Sequence, residues 1–382
     1  MKIGLILFFL TFLFPTLLRS QTKQNVYEKL IKINYRNIDT TNADTKAALK
    51  VWQSYLMNCL YGAAVKNNTL CLKYWNEDEK TETTQPNYVF SMFPGLFYFQ
   101  TTILSIEPSE NDFFKILNCN SEVDSTGNLN IQAIYFVLVK KVRGVYKLFN
   151  YFYLEKDKLS RKSVGMFDYY YPGNYPFSIE KAEQYGKFCD SLSILFEVPM
   201  NNRIVYVVDT NSISLIGHFG CIYLSTYYTN KGGQYLKDQS LILDSFNECD
   251  EHELVHYFTV RKYPEKMQFF DEGLATWLGG SMGQDLSYHV KKLYNHFYRM
   301  NADTTHIMDF PRLDQETDPA YILGGIILKY TTETFGIQKA LSLLIYSDRQ
   351  YTPEEVIERE LGIPKNKLNS FLLDYIKKYS GN

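Results

Sequence analysis

The segment Glu251-His252-Glu253-Leu254-Val255-His256, followed by Phe269-Phe270-Asp271-Glu272-Gly273-Leu274-Ala275, constrains this chain more than any other. On an α-helix each residue advances about 100°, so His252 and His256 leave from nearly the same face. Glu253 lies a third of a turn from His252, close enough to reach a water beside an ion held by both imidazoles. Two histidines at this spacing with a glutamate between them form the pattern of a zinc site with its general base. Histidine is rare here, 6 residues in 382, so two at this spacing carry weight. A zinc site of this kind asks for a third protein ligand and an open fourth position. Glu272 can supply that ligand. Leu254, Val255 and Tyr257 give the helix an apolar side, and Pro264 supplies a stop. The plainer reading makes the two histidines half-buried polar residues of an ordinary amphipathic helix, and Glu253 a solvated charge.

HELVH with a downstream EGLA stretch resembles the gluzincin branch of zinc metallopeptidases, the group that holds thermolysin and the zinc aminopeptidases. The resemblance covers roughly residues 160 to 382. It implies that Glu272, on a neighbouring helix, is the third zinc ligand after His252 and His256. Gly273 and Ala275 are then the small residues that let the two helices approach. The spacing between His256 and Glu272 is shorter than in thermolysin, and Trp277 stands where many relatives carry tyrosine. Tyr321, followed by Gly324, resembles the Tyr-x-x-Gly of the zinc aminopeptidases, whose tyrosine hydroxyl stabilises the oxyanion. With 32 tyrosines in the chain, position after the zinc helices is what singles this one out. His289, His296 and His306 are the rival donors, because thermolysin-like enzymes use a downstream histidine. Asp271 and Glu251 are the carboxylates expected to orient the imidazoles. Cys249 lies close by, and the safer reading makes it a buried apolar cysteine.

The expected fold class is α+β: a thermolysin- or aminopeptidase-like zincin domain, with a mixed sheet and a helical lobe, over residues 159–382. A smaller α+β domain over residues 21–158 precedes it, read as a helix on a curved antiparallel sheet. In the first part, Asn42 to about Trp75 has helical periodicity. Tyr88–Phe93, Leu96–Ile106, Ile131–Lys141 and Val145–Leu154 look like strands, the last two joined by a hairpin at Val142-Arg143-Gly144. Beyond a charged boundary at 155–162, strands are expected at 163–170, 203–208 and 220–226, and a helix at 178–196. Helices are expected near 270–279, 285–300, 319–335, 337–346, 353–361 and 365–379. In gluzincins the strand in the place of 220–226 edges the cleft, and substrate peptide lies along it. The Gly-Ala-Met-Glu-Asn stretch with which zinc aminopeptidases grip a free amine is missing; this region reads Gly220-Cys221-Ile222-Tyr223. That leans toward an endopeptidase.

A net charge of −2 with no Lys/Arg run gives no reason to expect nucleic acid. Residues 1–20 read as an export signal or an N-terminal anchor, so the protein is expected to be periplasmic, surface-held or secreted. No other segment is long and apolar enough to span a bilayer. An even count of cysteines, 6, permits disulfides without choosing among pairings. The expected activity is zinc-dependent peptide hydrolysis with Glu253 as base and Tyr321 on the oxyanion. Two other classes stay open: a peptide- or glycan-binding protein on a zincin fold, and a zinc hydrolase of a non-peptide amide or ester.

Overall fold

The computed structural model describes residues 31–65, 69–76, 86–225, 232–236, 240–245, 247–300 and 306–381. The chain is mixed α+β with two mixed sheets, and it divides into two units. One comprises Met1–Glu155 with Ile216–Tyr228, the other Lys156–Leu215 with Thr229–Asn382. The expected export segment lies outside the described residues. Among the described ones, no helix is long and apolar enough to cross a membrane.

In the first unit, the helix expected from Asn42 onward is α1, Ala43–Val65. The Asn42 side chain accepts from the N–H groups of Asp44 and Thr45, 2.9 and 3.0 Å away, which satisfies donors that a helix start leaves open. Ala48, Leu49, Trp52, Tyr55 and Leu56 form its buried stripe. Trp52 Nε1 donates to Asn118 Oδ1 across the helix–sheet interface at 2.7 Å. The sheet runs β1 (Ile31–Ile33), β2 (Gln100–Pro108), β3 (Phe113–Val123), β4 (Leu129–Val142), β5 (Val145–Phe149), antiparallel except for the β1–β2 pair. The β4–β5 hairpin turns at Arg143-Gly144, both with positive φ (50° and 85°), the geometry that matches the twist of the flanking strands.

Two expected strands are shorter than expected: the one from Leu96 begins at Gln100, after a 3₁₀ turn at Pro94–Tyr98, and the one to Leu154 ends at Phe149, before a helical turn at Phe152–Glu155. Three larger corrections follow. Tyr88–Phe93 is not a strand but a short helix, Tyr88–Met92, started by the Asn87 side chain accepting from Phe90 N–H. A short apolar run carries no period long enough to separate the two. Strand β3 was not expected at all, because Asn118 and Asn120 interrupt its apolar pattern. Both are buried and hydrogen-bonded, Asn118 to Trp52 and Asn120 Nδ2 to Leu96 O at 2.9 Å. The third correction matters most: the strand expected at 220–226, β9 (Cys221–Leu224), pairs antiparallel with β4 and belongs to this first sheet. It is therefore not the edge of the second sheet. Alternation shows that a strand has a buried face but not which sheet it joins. Of the cysteines, Cys71 is disulfide-bonded, whereas Cys119, Cys189, Cys221 and Cys249 are free.

In the second unit the sheet order is β10 (Gly233–Leu236), β11 (Leu241–Asp244), β8 (Ile204–Val208), β7 (Phe167–Tyr171), β6 (Ser160–Val164). The two outer pairs are antiparallel and the inner ones parallel. The single strand expected at 163–170 is two strands, folded back at Gly165, where φ is 53°. Parallel β7 and β8 need a crossover, and α2 (Ile179–Phe196) provides it. Ser178 caps that helix, which buries Ala182, Tyr185, Cys189, Leu192 and Phe196 at three- and four-residue steps. The helical part follows: α3 (Glu251–Lys262), α4 (Gln268–Gly279), α5 (Leu286–Tyr294), α6 (Pro319–Phe335), α7 (Ile337–Ser342), α8 (Pro353–Leu361) and α9 (Lys365–Tyr379). The helix expected over 285–300 ends as α5 and continues as one π turn, Asn295–Arg299. Phe258 of α3, Phe270 and Leu274 of α4, and Ile326 and Ile327 of α6 belong to one buried core.

Helices α4 and α6 cross at glycines. A methyl group built on Gly273 would lie 2.6 Å from Gly324 Cα, and one on Gly324 3.0 Å from Gly273 Cα. No side chain fits there. This crossing holds Glu272 and Tyr321, which sit beside it on the two helices.

Candidate metal centre

The start of α3 is fixed before its histidines are reached. Asp250 caps the helix, its Oδ1 accepting from Glu253 N–H at 3.2 Å. Two buried tyrosines hold the Asp250 backbone: Tyr206 Oη accepts from its N–H at 3.0 Å, and Tyr185 donates to its carbonyl at 2.8 Å. Strand β8 and helix α2 thereby set where the first turn of α3 points.

One turn apart on that helix, the imidazoles of His252 and His256 lie with ring centroids 4.9 Å apart. Glu272 of α4 faces both. Its Oε2 is 3.3 Å from His252 Nε2 and 3.4 Å from His256 Nε2. One ligand atom from each of the three residues falls within 4.8 Å of the others. A tetrahedral zinc ion with bonds of about 2.0–2.2 Å places its ligand atoms roughly 3.3 Å apart. The donor set and the spacing fit that ion.

The outward nitrogens explain why three acceptors converge. His252 Nδ1 meets Gly280 O at 2.7 Å, and His256 Nδ1 meets Asp271 Oδ2 at 2.9 Å. A carbonyl and a carboxylate can only accept, so each neutral ring carries its proton on Nδ1 and turns an Nε2 lone pair inward. Two lone pairs and a carboxylate facing one point repel each other unless a cation or extra protons sit between them. The pKa directions agree. Burial alone would lower both imidazoles, but Glu272 beside His252, and Asp271 with Glu272 beside His256, raise them above the ordinary 6.5. Glu272 is buried as well, which works to raise its pKa, yet the Nε2–H groups of the two histidines in their protonated form donate to it and hold it far below the usual carboxylate range.

Asp271, one of the two carboxylates expected to orient the imidazoles, does so. Thr259 Oγ1 donates to its Oδ1 at 2.6 Å, and Lys266 Nζ lies 3.2 Å from its Oδ2. Burial would raise its pKa, but His256 and Lys266 keep it ionised. Glu251, the other, bonds neither histidine. It lies on the wall of the cleft, and burial with the nearby Asp250 raises its pKa. For His252 the orienting group is instead a backbone carbonyl, Gly280 O, which no side-chain pattern reveals. Cys249 is half-buried, its thiol pushed up to about 11 by burial and Glu251, and it is not part of the cluster.

Glu253 stands at the outer edge of β10. Its Oε2 accepts from Tyr235 N–H at 2.7 Å. Burial first, and then the Asp250 carboxylate, push its pKa up to about 6. Because Tyr235 N–H points at Glu253 and not at β11, the outer edge of β10 turns toward that carboxylate. Gly233, one step away on the same edge, has no room for a side chain: an added Cβ would lie 2.9 Å from Asp250 Cγ and 3.0 Å from Glu253 Cγ.

A cleft of about 440 Å³ opens over these groups, with His252, Glu253, His256, Glu272, Tyr235 and Tyr321 on its wall. The Tyr321 ring lies nearly parallel to that of His252, centroids 6.3 Å apart, and burial together with Glu272 raises its phenol pKa. The rival histidines lie elsewhere. His289 is fully buried between Ser281 and Thr317, His296 packs edge-on against Phe297 and Phe310, and His306 is exposed at the start of a short turn. None lines the cleft. No known protein family matches this sequence, and no curated protein is detectably similar to it.

Proposed function

We propose that this chain is a zinc-dependent peptide hydrolase of the gluzincin type. The observation that carries the reading is the convergence of His252, His256 and Glu272 with Glu253 beside them on one wall of a substrate-sized cleft. Zinc bound by that triad supplies a Lewis acid and brings the pKa of a water toward neutrality. The other steps belong to the protein. Glu253, anchored through one oxygen by Tyr235 N–H, keeps its second oxygen to take a proton from the attacking water and return it to the leaving amine. Tyr321 places its hydroxyl to donate to the oxygen that gains charge on attack, a contribution of about 10²–10³ in rate.

The substrate lies against β10, the terminal strand of the second sheet, whose Gly233, Gln234 and Tyr235 line the cleft. That assignment replaces the 220–226 strand. Among the described residues, Arg312 is the one Lys or Arg on the cleft wall, against Asp244, Asp250, Glu251, Glu316 and Asp318 besides the site carboxylates. Such a wall favours a substrate that carries positive charge close to the scissile bond. The disulfide at Cys71 supports the reading that the protein is exported to an oxidising compartment.

The test is to measure bound zinc in the purified protein and to compare wild type with Glu253→Gln on a peptide library. The variant keeps its zinc and loses 10²–10⁴ in cleavage rate. A zinc-loaded wild type that cleaves no peptide overturns the peptidase reading.

A further inference from the structure

His289, on α5, lies outside the cleft and touches none of the proposed reacting groups, yet it bonds two loops whose residues line the cleft. Its Nε2 is 3.0 Å from Ser281 O and its Nδ1 is 3.0 Å from Thr317 Oγ1. The carbonyl can only accept, so Nε2 carries the proton and Nδ1 accepts from the threonine hydroxyl. The side chain is fully buried, and burial holds its pKa below the ordinary 6.5, in keeping with a neutral ring.

Each bond ends next to a residue that sets the site. Ser281 follows Gly280, whose carbonyl orients His252. The turn is tight: Ser281 and Gln284 exchange backbone hydrogen bonds of 2.8 and 3.0 Å, Gly280 and Gly283 have φ of 80° and 74°, and Met282 has φ of 52°. A Cβ on Gly280 would lie 2.5 Å from Gln284 O. Thr317 precedes Asp318, whose side chain caps α6 by accepting from Ala320 N–H at 3.0 Å, one turn before Tyr321. Thr317 is itself tied down, its N–H to Asp314 Oδ1 at 2.8 Å and its carbonyl to Leu313 N–H at 3.0 Å.

We propose that His289 is a positioning residue that couples the metal half of the site to the oxyanion half. One nitrogen fixes the turn that orients His252; the other fixes the loop that starts the helix of Tyr321. The inference rests on the zinc hydrolase reading and adds a residue that the metal motif does not contain.

The two nitrogens can be replaced one at a time. Glutamine sets an amide N–H where Nε2 was, and asparagine sets a carbonyl oxygen where Nδ1 was. In the full chain, His289→Gln therefore keeps the Ser281 bond and loses the Thr317 bond. We expect zinc affinity within about twofold of wild type and kcat lowered roughly tenfold. His289→Asn keeps the other arm: zinc binds about 10-fold or more weakly, the usual consequence of disturbing a ligand's orienting partner, and kcat at saturating zinc stays close to wild type. Thr317→Val removes only the second arm from its far end and should behave like the glutamine variant. Zinc affinity by chelator competition, kcat on a peptide that the wild type cleaves, and thermal midpoint are read for each protein. If glutamine and asparagine lower zinc affinity and kcat together, in step with the midpoint, His289 is only structural and the proposal is overturned. Unchanged zinc affinity and kcat in all three variants overturn it too. A wild type that binds no zinc, or binds it and cleaves nothing, refutes the underlying hydrolase reading, while the separate effects of the two arms address the coupling.

Discussion

Replacing Gly273 by alanine sets two effects of opposite sign against each other. In a helix interior the change adds roughly 0.8–1.0 kcal/mol through propensity, because glycine loses more backbone freedom on folding. Against this, the new methyl would lie 2.6 Å from Gly324 Cα and 2.7 Å from Gly325 N. Carbon atoms rest about 3.5–4.0 Å apart, so α4 and α6 must separate by about 1 Å. The obstacle is backbone, which cannot swing aside as a side chain would, so the cost falls at the upper end of the usual overpacking range, about 3 kcal/mol. The net is a loss of about 2 kcal/mol. For a unit of this size that lowers the melting midpoint by roughly 4–8 °C. Gly186, inside α2, has nothing within 4 Å of its added Cβ, so Gly186→Ala shows propensity alone and should melt roughly 2–4 °C higher than wild type. Circular dichroism melts of the two variants, with zinc affinity by chelator competition, decide the matter. Because Glu272 precedes Gly273, the same shift should weaken zinc by about tenfold or more. A Gly273→Ala protein that gains stability as Gly186→Ala does, with unchanged zinc affinity, refutes the argument that a close glycine crossing positions Glu272.

Asp271→Asn removes the charge beside His256 Nδ1 and frees Lys266 and Thr259; zinc affinity should fall about 10–100-fold with the fold intact, as isothermal titration would show. Metal-free protein should be most stable between the ordinary carboxylate and imidazole pKa values. The raised pKa values of His252 and His256 contribute stability below 6.5 that is lost as pH rises through their folded values. The depressed pKa values of Asp271 and Glu272 contribute stability above 3.8 and 4.5 that is lost as pH falls. Melting midpoints of chelator-treated protein should therefore decline from pH 6.5 upward, and zinc should reverse the decline; a metal-free midpoint that rises from pH 6.5 to 8 would count against it. Peptides with lysine beside the cleaved bond should be preferred to glutamate analogues by at least tenfold in kcat/KM at low salt, with the ratio shrinking as salt is raised; equal rates would remove the charge argument.

Much of the fold was legible where periodicity runs long. The α2 stripe and its Ser178 cap, the α6 start at Asp318-Pro319 and the Thr352 capping box of α8 could all be read from residue spacing. Where a strand was placed in the wrong sheet or passed over as too short, the cause is that sheet membership is non-local. Leu241–Asp244 is four residues, all buried, too short to show alternation, yet it links β10 to β8 at the heart of the second sheet. Cys221–Leu224 has a strand's composition but joins β4, a partner some ninety positions earlier in the chain. Nothing local to either segment names its neighbour.

The site divides along the same line. His252, Glu253 and His256 are legible because one helix carries them, and helical geometry alone brings their side chains together. Glu272 and Tyr321 needed a resemblance, since their meeting depends on how α4 and α6 cross. The groups that were missed act through the backbone or from a distance in sequence. Gly280 O orients His252 and Tyr235 N–H holds Glu253, and any residue type offers the same carbonyl and any but proline the same N–H. Yet these positions are not silent. Gly280 has positive φ and no room for a Cβ, and Gly233 lies against the Asp250 and Glu253 side chains. A site that aims its side chains with main-chain groups must bring backbones close, and closeness excludes Cβ atoms. Glycines near a metal motif therefore mark where the unseen orienting groups lie, which makes Gly232-Gly233 and Gly279-Gly280 as informative as the histidines between them.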